Sequence, residues 1–507
     1  MDLVPDRPAP SLSYWSTWSS QNLACGAPSG LSPGFHHRLG MSAMPDDHLD
    51  EEILFGAQGW AHLACREVRS DLVLLIDEGW DVPYRSDRER DQERYGSGVV
   101  PAERFPSCHG DPAERLRRLD AMVREAGWGG TGLWVSAAAL GENPPPGAEP
   151  HHLLTPADLE AFYRERARWS AEAGIAYWKV DWGVRAHDSA YRYLVTQVCR
   201  EEAPQLVVEH VCCTGPLNDE EASGRFAGAW HSDPMRALLG FADVVRTYDV
   251  SEELSSATTL DRAAGLLLHS PSCPGSLGLL NVEDEVYLGA ALGCCLGIER
   301  PTWLPRSRGM EVTRAVRWQR FAPPIGVCRV PVEVDPETLV DSWTFRPGEF
   351  WWRPVDGRTV RQGAPARVTR GGLPLPSVSP IGGIRPYVVA SRHTEGAIAI
   401  ATLPRTTPGR GVFQPLARIR LAAQLDVPLG VFGRYASLTL EVPGAIDLRV
   451  WAQDLAAGEA IDVTSRVQLD AGEVTLPGAL IDEVGRMAQD RSDPSAPGLV
   501  VTLRSAS

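Results

Sequence analysis

The stretch TPADLEAFYRERARWSAEAGIAYWKVDWG, residues 155–183, decides the fold. Thr155-Pro156 is a helix start, since proline at the first helical position gives up an N–H that has no partner there. An amphipathic run follows and stops at Gly174. IAYWKVD (175–181) is then a short apolar run of the kind that forms a buried strand. One helix feeding one buried strand is the building unit of an α/β protein.

The same alternation extends in both directions. LSYWSTW (12–18), DLVLLID (71–77), TGLWVS (131–136), QLVVEH (205–210) and ADVVRTYD (242–249) are predicted strands, with GLLNV (278–282) and PTWL (301–304) as the last two. Asp111-Pro112 opens a second clear helix, DPAERLRRLDAMVREAG. Strand then helix, repeated about eight times over roughly 300 residues, is the pattern of a (β/α)₈ barrel. The rival, a doubly wound sheet, lacks a G-x-G-x-x-G after the first strand. Past residue 325 helix patterns become scarce. YVVAS (387–391), AIAIATL (397–403), SLTLEV (437–442) and LRVWA (448–452) alternate with turn residues. The expected architecture is a TIM barrel over residues 1–325 followed by a C-terminal antiparallel β-sandwich over 326–507.

Composition narrows the function classes. A net charge of −16 argues against nucleic acid or an anionic membrane surface as partner. No apolar run approaches a membrane span. The start, MDLVPDRPAPSLSYWS, lacks the basic and apolar segments of a signal peptide. Ten cysteines, with two adjacent pairs and no paired C-x-x-C units, suggest neither a disulfide scaffold nor zinc. A cytoplasmic protein is expected, with its oligomeric state, a homo-oligomer included, left open. His36-His37 and His151-His152 are adjacent pairs in loop-like sequence, poorly spaced for a metal. GLSPG (30–34) fits a serine-hydrolase pattern but has no strand–elbow–helix around it.

Barrel active sites form at the carboxyl ends of the strands, and here those ends are acidic. Asp77 and Glu78 end the second strand, Asp181 the fourth, Glu209 the fifth and Asp249 the sixth. Lys179, the only lysine in the chain, lies two residues before Asp181 and so faces the same side of its strand. Its solitude among arginines marks a position where a compact ammonium is needed and a planar fork does not fit. Arg246 lies three residues before Asp249. Carboxylates with two cations, set among Trp15, Trp80, Trp134 and Trp182, suit a neutral polyhydroxylated ligand: acids and cations bond the hydroxyls, and indoles cover the apolar ring face. Each acid alone would be read as a helix cap or a surface ion pair. The Trp-rich SWTFRPGEFWWRP (342–354) is read as sandwich core.

In order along the chain, these segments resemble glycoside hydrolase clan D, the α-galactosidases of families 27 and 36. YWSTWSSQN (14–22) resembles a first-strand G-W-N-S-W-N, and LLIDEGWD (74–81) the second-strand I-D-D-G-W. RFPS (104–107) with GTGLWVS (130–136) resembles F-P-x-G…G-x-K-F-G-I-Y. YWKVDWG (177–183) resembles the K-x-D signature, and VVRTYD (244–249) the strand with a sugar-binding Arg and an acid/base Asp. LNVEDEVYLGAALGCCLGIERP (280–301) is similar to the late acidic segment and helix before the eighth strand. The resemblance spans roughly residues 12 to 305, and a β-domain behind the barrel also suits the family.

The resemblance implies a retaining hydrolase with Asp181 as nucleophile and Asp249 as acid/base. Asp77, Trp80, Lys179 and Arg246 would line the glycone pocket, with Glu209 near the C2 substituent, and no metal or organic cofactor would be needed. The implied partner is a carbohydrate, an α-galactoside first. Two departures bear on the sugar. Asp77-Glu78 replaces the usual Asp-Asp, and R-T-Y-D is one residue shorter between Arg and Asp than family 27 usually shows. An α-N-acetylgalactosaminide, a β-L-arabinopyranoside or an α-glucan stays open as substrate, as does a barrel of this kind that binds sugar or serves as a structural subunit without turnover.

Overall fold

The computed structural model describes residues 1–10, 12–24, 49–82, 95–142, 153–211, 237–247, 253–268, 276–345, 357–444, 447–490 and 492–505. Eight strands, β1 (Tyr14–Ser16), β2 (Val73–Ile76), β3 (Gly130–Val135), β4 (Tyr177–Val180), β5 (Val207–His210), β6 (Val244–Arg246), β7 (Leu279–Asn281) and β8 (Gly297–Ile298), form one sheet. Their order is β7-β6-β5-β4-β3-β2-β1-β8, with every pairing parallel. A bridge between Asn281 and Cys295 joins β7 to the chain entering β8, which closes the ring. Between and after the strands run helices α1 (Pro112–Glu125), α2 (Pro156–Ala173), α3 (Ser189–Glu202), α4 (Ser255–Leu268), α5 (Val286–Leu292) and α6 (Gly309–Trp318).

Local chemistry sets these boundaries. The Asp111 carboxylate caps α1 by accepting from Glu114 N at 2.9 Å, and Thr155 Oγ1 caps α2 by accepting from Asp158 N at 3.3 Å. Gly174 ends α2 at φ 81°, a left-handed turn that glycine adopts without strain. One expectation fails. Residues 301–304 form a turn, and the eighth strand is Gly297–Ile298. Pro301 has no N–H to give a ladder, whereas the chain just before it is fully buried beside Tyr14 and Trp15.

Alternation along each strand separates lumen from shell. Tyr14, Val73, Leu75, Tyr177, Val244, Leu279 and Cys295 form one interior cluster. Trp15, Leu74, Ile76, Trp178, Val180 and Val208 belong to the larger core shared with the helices. The lumen is packed tightly enough to require glycine at 132. A Cβ there would stand 2.8 Å from Val73 Cγ1 and 2.9 Å from Leu75 Cδ1.

The second unit is a sandwich of an eight-stranded and a five-stranded sheet. Most pairings are antiparallel, as expected, but three are parallel: Arg367–Arg370 with Tyr387–Arg392, Ile398–Leu403 with Leu429–Phe432, and Ala417–Ala422 with Ser437–Glu441. One face of the larger sheet, including Val388, Ile398, Ile400 and Val431, packs on Ile419, Leu438 and Leu476 of the smaller. Its other face, including Val389, Ala399, Ala401 and Phe432, joins the barrel's core. Burial on both faces explains the unbroken apolar runs of these strands. A buried ion pair adds to the seam, Arg314 of α6 donating to both oxygens of Asp454 at 2.8 and 3.0 Å. The chain start also lies on the sandwich, where Leu3 N donates to Gln453 Oε1 at 2.6 Å. Only part of the Trp-rich segment, residues 342–345, lies within the described residues, and Phe345 is buried with Leu254 and Val360 in a small cluster apart from the sandwich core. Among the described residues no helix is long and apolar enough to cross a membrane.

Candidate active site

The inward residues at the carboxyl ends of the strands converge on Lys179. Its Nζ donates to Asp77 Oδ2 at 2.9 Å and lies 3.3 Å from Asp181 Oδ2 and 4.0 Å from Glu299 Oε1. Strand β4 presents Lys179 and Asp181 two residues apart on one face, β2 runs out into Asp77, and β8 into Glu299. Arg246, at the end of β6, makes a second centre. Its Nη2 is shared between Glu283 and Glu299 Oε1, the latter at 2.9 Å. Glu299 therefore ties the two cations together.

Burial sets the electrostatics. The side chains of Lys179, Asp77, Glu283 and Glu299 are at most 3% exposed, while Asp181 is 19% exposed. Asp181 is thus the carboxylate of this cluster that reaches the opening. Burial alone would pull the Lys179 ammonium down, but Asp77, then Asp181 and Glu299, outweigh both burial and the repulsion of Arg246, so its pKa is raised. Glu299 moves the other way from an ordinary carboxylate. Burial pushes it up, Lys179 and Arg246 only partly offset this, and it stands at about 7.

Aromatic groups wall one side. Trp134 Nε1 donates to Asp181 Oδ2 at 3.1 Å, Trp80 Nε1 to the Trp134 carbonyl at 2.7 Å, and Trp182 Nε1 to Glu78 Oε2 at 2.8 Å. Tyr95 meets the edges of both Trp134 and Trp182. Asp77 is held by protein on both oxygens, since Ser16 Oγ and Lys179 donate to Oδ2 and Glu78 N to Oδ1.

The remaining sequence-predicted residues fall elsewhere. Glu209 is fully buried in the lumen and accepts from Tyr14 Oη and Tyr177 Oη, each at 2.9 Å, and from Asn281 Nδ2 at 2.6 Å. Trp15 points out of the barrel, stacked on Trp128 with ring centroids 5.9 Å apart, because alternation turns Tyr14 and Ser16 inward. Asp249 lies outside the described residues, as do both histidine pairs, Cys212-Cys213 and GLSPG.

Two site acids, Glu283 and Glu299, escaped individual notice in the sequence, although the segment that holds them did not. The available signal was the same as for Asp77 and Asp181, a carboxylate just past a buried strand, but the misplaced eighth strand hid it for Glu299. Asp284 fixes that strand end. It sits at φ 47°, and its Oδ1 accepts from Glu299 N at 3.1 Å and from Arg300 Nε at 3.1 Å.

Behind Asp181 lies Arg192, 1% exposed. Its guanidinium donates to the carbonyls of Val180, Asp181, Ala186 and Val211 at 2.7–3.0 Å. It also bonds His210 Nδ1 at 3.1 Å, whose pKa is held well below the ordinary value by burial and then by Arg192 and Arg200. The turn after β4 is narrow as well, since a Cβ at Gly183 would stand 2.6 Å from the Ala137 backbone.

No protein-family model matches the chain, and no curated protein matches it. Among solved structures it is similar to a family 27 β-L-arabinopyranosidase from Geobacillus stearothermophilus, at 11% identity and a TM-score of 0.47 over 98% of each chain. It is also similar to a candidate α-N-acetylgalactosaminidase from Bacillus halodurans, at 10% identity and a TM-score of 0.45 over 100% of both chains. A candidate α-galactosidase from Bacteroides fragilis aligns at 12% identity and a TM-score of 0.42, over 97% of this chain and 79% of its own.

Proposed function

We propose that the protein is a retaining glycoside hydrolase that cleaves a terminal α-linked sugar, an α-galactoside first. The observation that carries this reading is Asp181, a partly exposed carboxylate at a barrel's mouth, held by a buried ammonium 3.3 Å away and an indole N–H at 3.1 Å. Both donors stabilise a carboxylate on Oδ2 and fix its direction.

In the first step the Asp181 carboxylate attacks the anomeric carbon. A C–O bond forms to the enzyme as the glycosidic C–O bond breaks, and the Asp249 carboxyl gives its proton to the departing oxygen. In the second step Asp249, now a carboxylate, takes a proton from water. The resulting oxygen attacks the same carbon and Asp181 leaves, so two inversions give net retention. Asp249 enters through the sequence resemblance alone. Lys179 and Asp77 would hold hydroxyls of the glycone, and Trp80, Trp134, Glu78 and Arg246 would shape its pocket.

Aryl α- and β-glycosides, led by the α-galactoside, test the reading. One member should be cleaved with retention, and Asp181→Ala should lower its turnover by about four orders of magnitude. Azide should rescue Asp181→Ala with inverted product and Asp249→Ala with retained product, because the first loses the attacking group and the second the proton carrier. Cleavage that survives Asp181→Ala would overturn the assignment. Sugar-dependent thermal shifts without turnover would point to a binding protein.

A further inference from the structure

Glu299 differs from the other strand-end acids Asp77 and Glu209. Asp77 has donors on both oxygens, and so does Glu209. Glu299 Oε1 is engaged by Arg246 at 2.9 Å, while Oε2 is buried without a hydrogen-bond partner among the described residues. A buried carboxyl oxygen left unbonded costs free energy, and native interiors rarely keep one without a reason.

The group is also held in place with some care. Its backbone N–H is fixed by Asp284, which adopts a left-handed conformation that is uncommon outside glycine. Its Oε1 is fixed by Arg246 and lies 4.0 Å from the same Lys179 nitrogen that lies 3.3 Å from Asp181. Asp181 and Glu299 thus flank one ammonium, within the reach of a single pyranose ring. A buried acid with one oxygen anchored and the other unbonded, on a backbone position fixed by a neighbouring turn, is arranged for a ligand.

We propose that Glu299 contacts the bound sugar, its Oε2 hydrogen-bonding one ring hydroxyl and so helping to set which sugar the site accepts. The inference rests on the glycosidase reading above and adds a specificity-determining acid on β8 to it. Oε2 accepts from the hydroxyl when Glu299 is ionised and donates to it when Glu299 carries a proton.

The test is a cycle between the residue and the substrate. Wild type, Glu299→Gln and Asp181→Ala would be assayed on the aryl glycoside that wild type cleaves and on its monodeoxy analogues, one hydroxyl removed at a time. Glu299→Gln should raise KM about tenfold on the parent with kcat changed less than about threefold. On one monodeoxy analogue the variant and wild type should coincide, because the hydroxyl that Glu299 would contact is gone. An equal loss on every analogue, or no loss on any, would overturn the contact while Asp181→Ala still abolished turnover. If Glu299→Gln fails to fold, Glu299→Asp carries the same cycle with the oxygen withdrawn. If wild type neither cleaves nor is thermally stabilised by any sugar of the panel, the glycosidase reading falls and this inference falls with it.

Discussion

Lys179 Nζ donates to Asp77 Oδ2 at 2.9 Å with both side chains buried, so an ammonium from the fourth strand locks a carboxylate at the end of the second. The same nitrogen faces Asp181, and the chain's one lysine is the hub of the barrel's mouth.

Arginine should not replace it. A guanidinium is longer and planar, and at a site 3% exposed it has no room to swing its fork outward. Lys179→Arg should lower kcat/KM by about 10²-fold or more, and Lys179→Met should destabilise the fold by about 3 kcal/mol, since Asp77 would be left buried without its cation. Steady-state kinetics and urea unfolding check the two effects.

Two tryptophans from the sequence reading should separate cleanly. Trp15→Phe trims a ring packed outside the barrel and removes a bond to the Arg300 carbonyl, so it should cost about 1–3 kcal/mol of stability with KM unchanged. Trp134→Phe removes the indole N–H from Asp181 and should lower kcat about tenfold or more. A fall in kcat for Trp15→Phe, matching that of Trp134→Phe, would contradict the placement.

Asp81 makes stability depend on pH. Burial pushes its carboxyl up to about 6, partly offset by hydrogen bonds from Gly98, Gly96 and Ser97. In the unfolded chain the group ionises near 4, so between about pH 4 and 6 the folded state holds a proton that the unfolded state has lost. This group's contribution is therefore fully present below pH 4 and is lost as pH rises through 6. Asp81→Asn should flatten that part of a Tm-against-pH curve, and an unchanged slope would count against the assignment.

Arg192 should matter more than any single bond it makes. It joins the strand ends of β4 and β5 and holds the peptide carbonyl of Asp181 at 3.0 Å. Arg192→Met leaves several buried acceptors unpaired, and a loss of about 3–5 kcal/mol is expected by denaturant titration.

The barrel was legible because its strands are short apolar runs that end in charge, and its helices carry Asp-Pro and Thr-Pro starts. Asp77, Lys179 and Asp181 came with it, since two-residue spacing on a strand fixes a shared face. What spacing cannot give is depth. Glu209 also ends a strand facing inward, but Tyr14, Tyr177 and Asn281 reach it from three other strands, and only the closed ring shows that its oxygens are taken. Trp15 was misjudged for a simpler reason, because indole chemistry outweighed the alternation that turns Tyr14 and Ser16 inward. Glu299 was lost with its strand. Two residues of ladder are too short for periodicity to find, and the pairing that defines them comes from the far end of the barrel.

The Arg314–Asp454 pair has a consequence for biosynthesis. The two residues lie 140 positions apart, and both side chains are fully buried. At about 5–20 residues per second, a ribosome that has just made Arg314 needs roughly 7–28 seconds more to make Asp454. Through that interval the last barrel helix carries an unneutralised guanidinium and a bare apolar flank. The nascent barrel therefore waits, nearly complete in sequence but unfinished in its packing, and chaperone dependence should peak in that window.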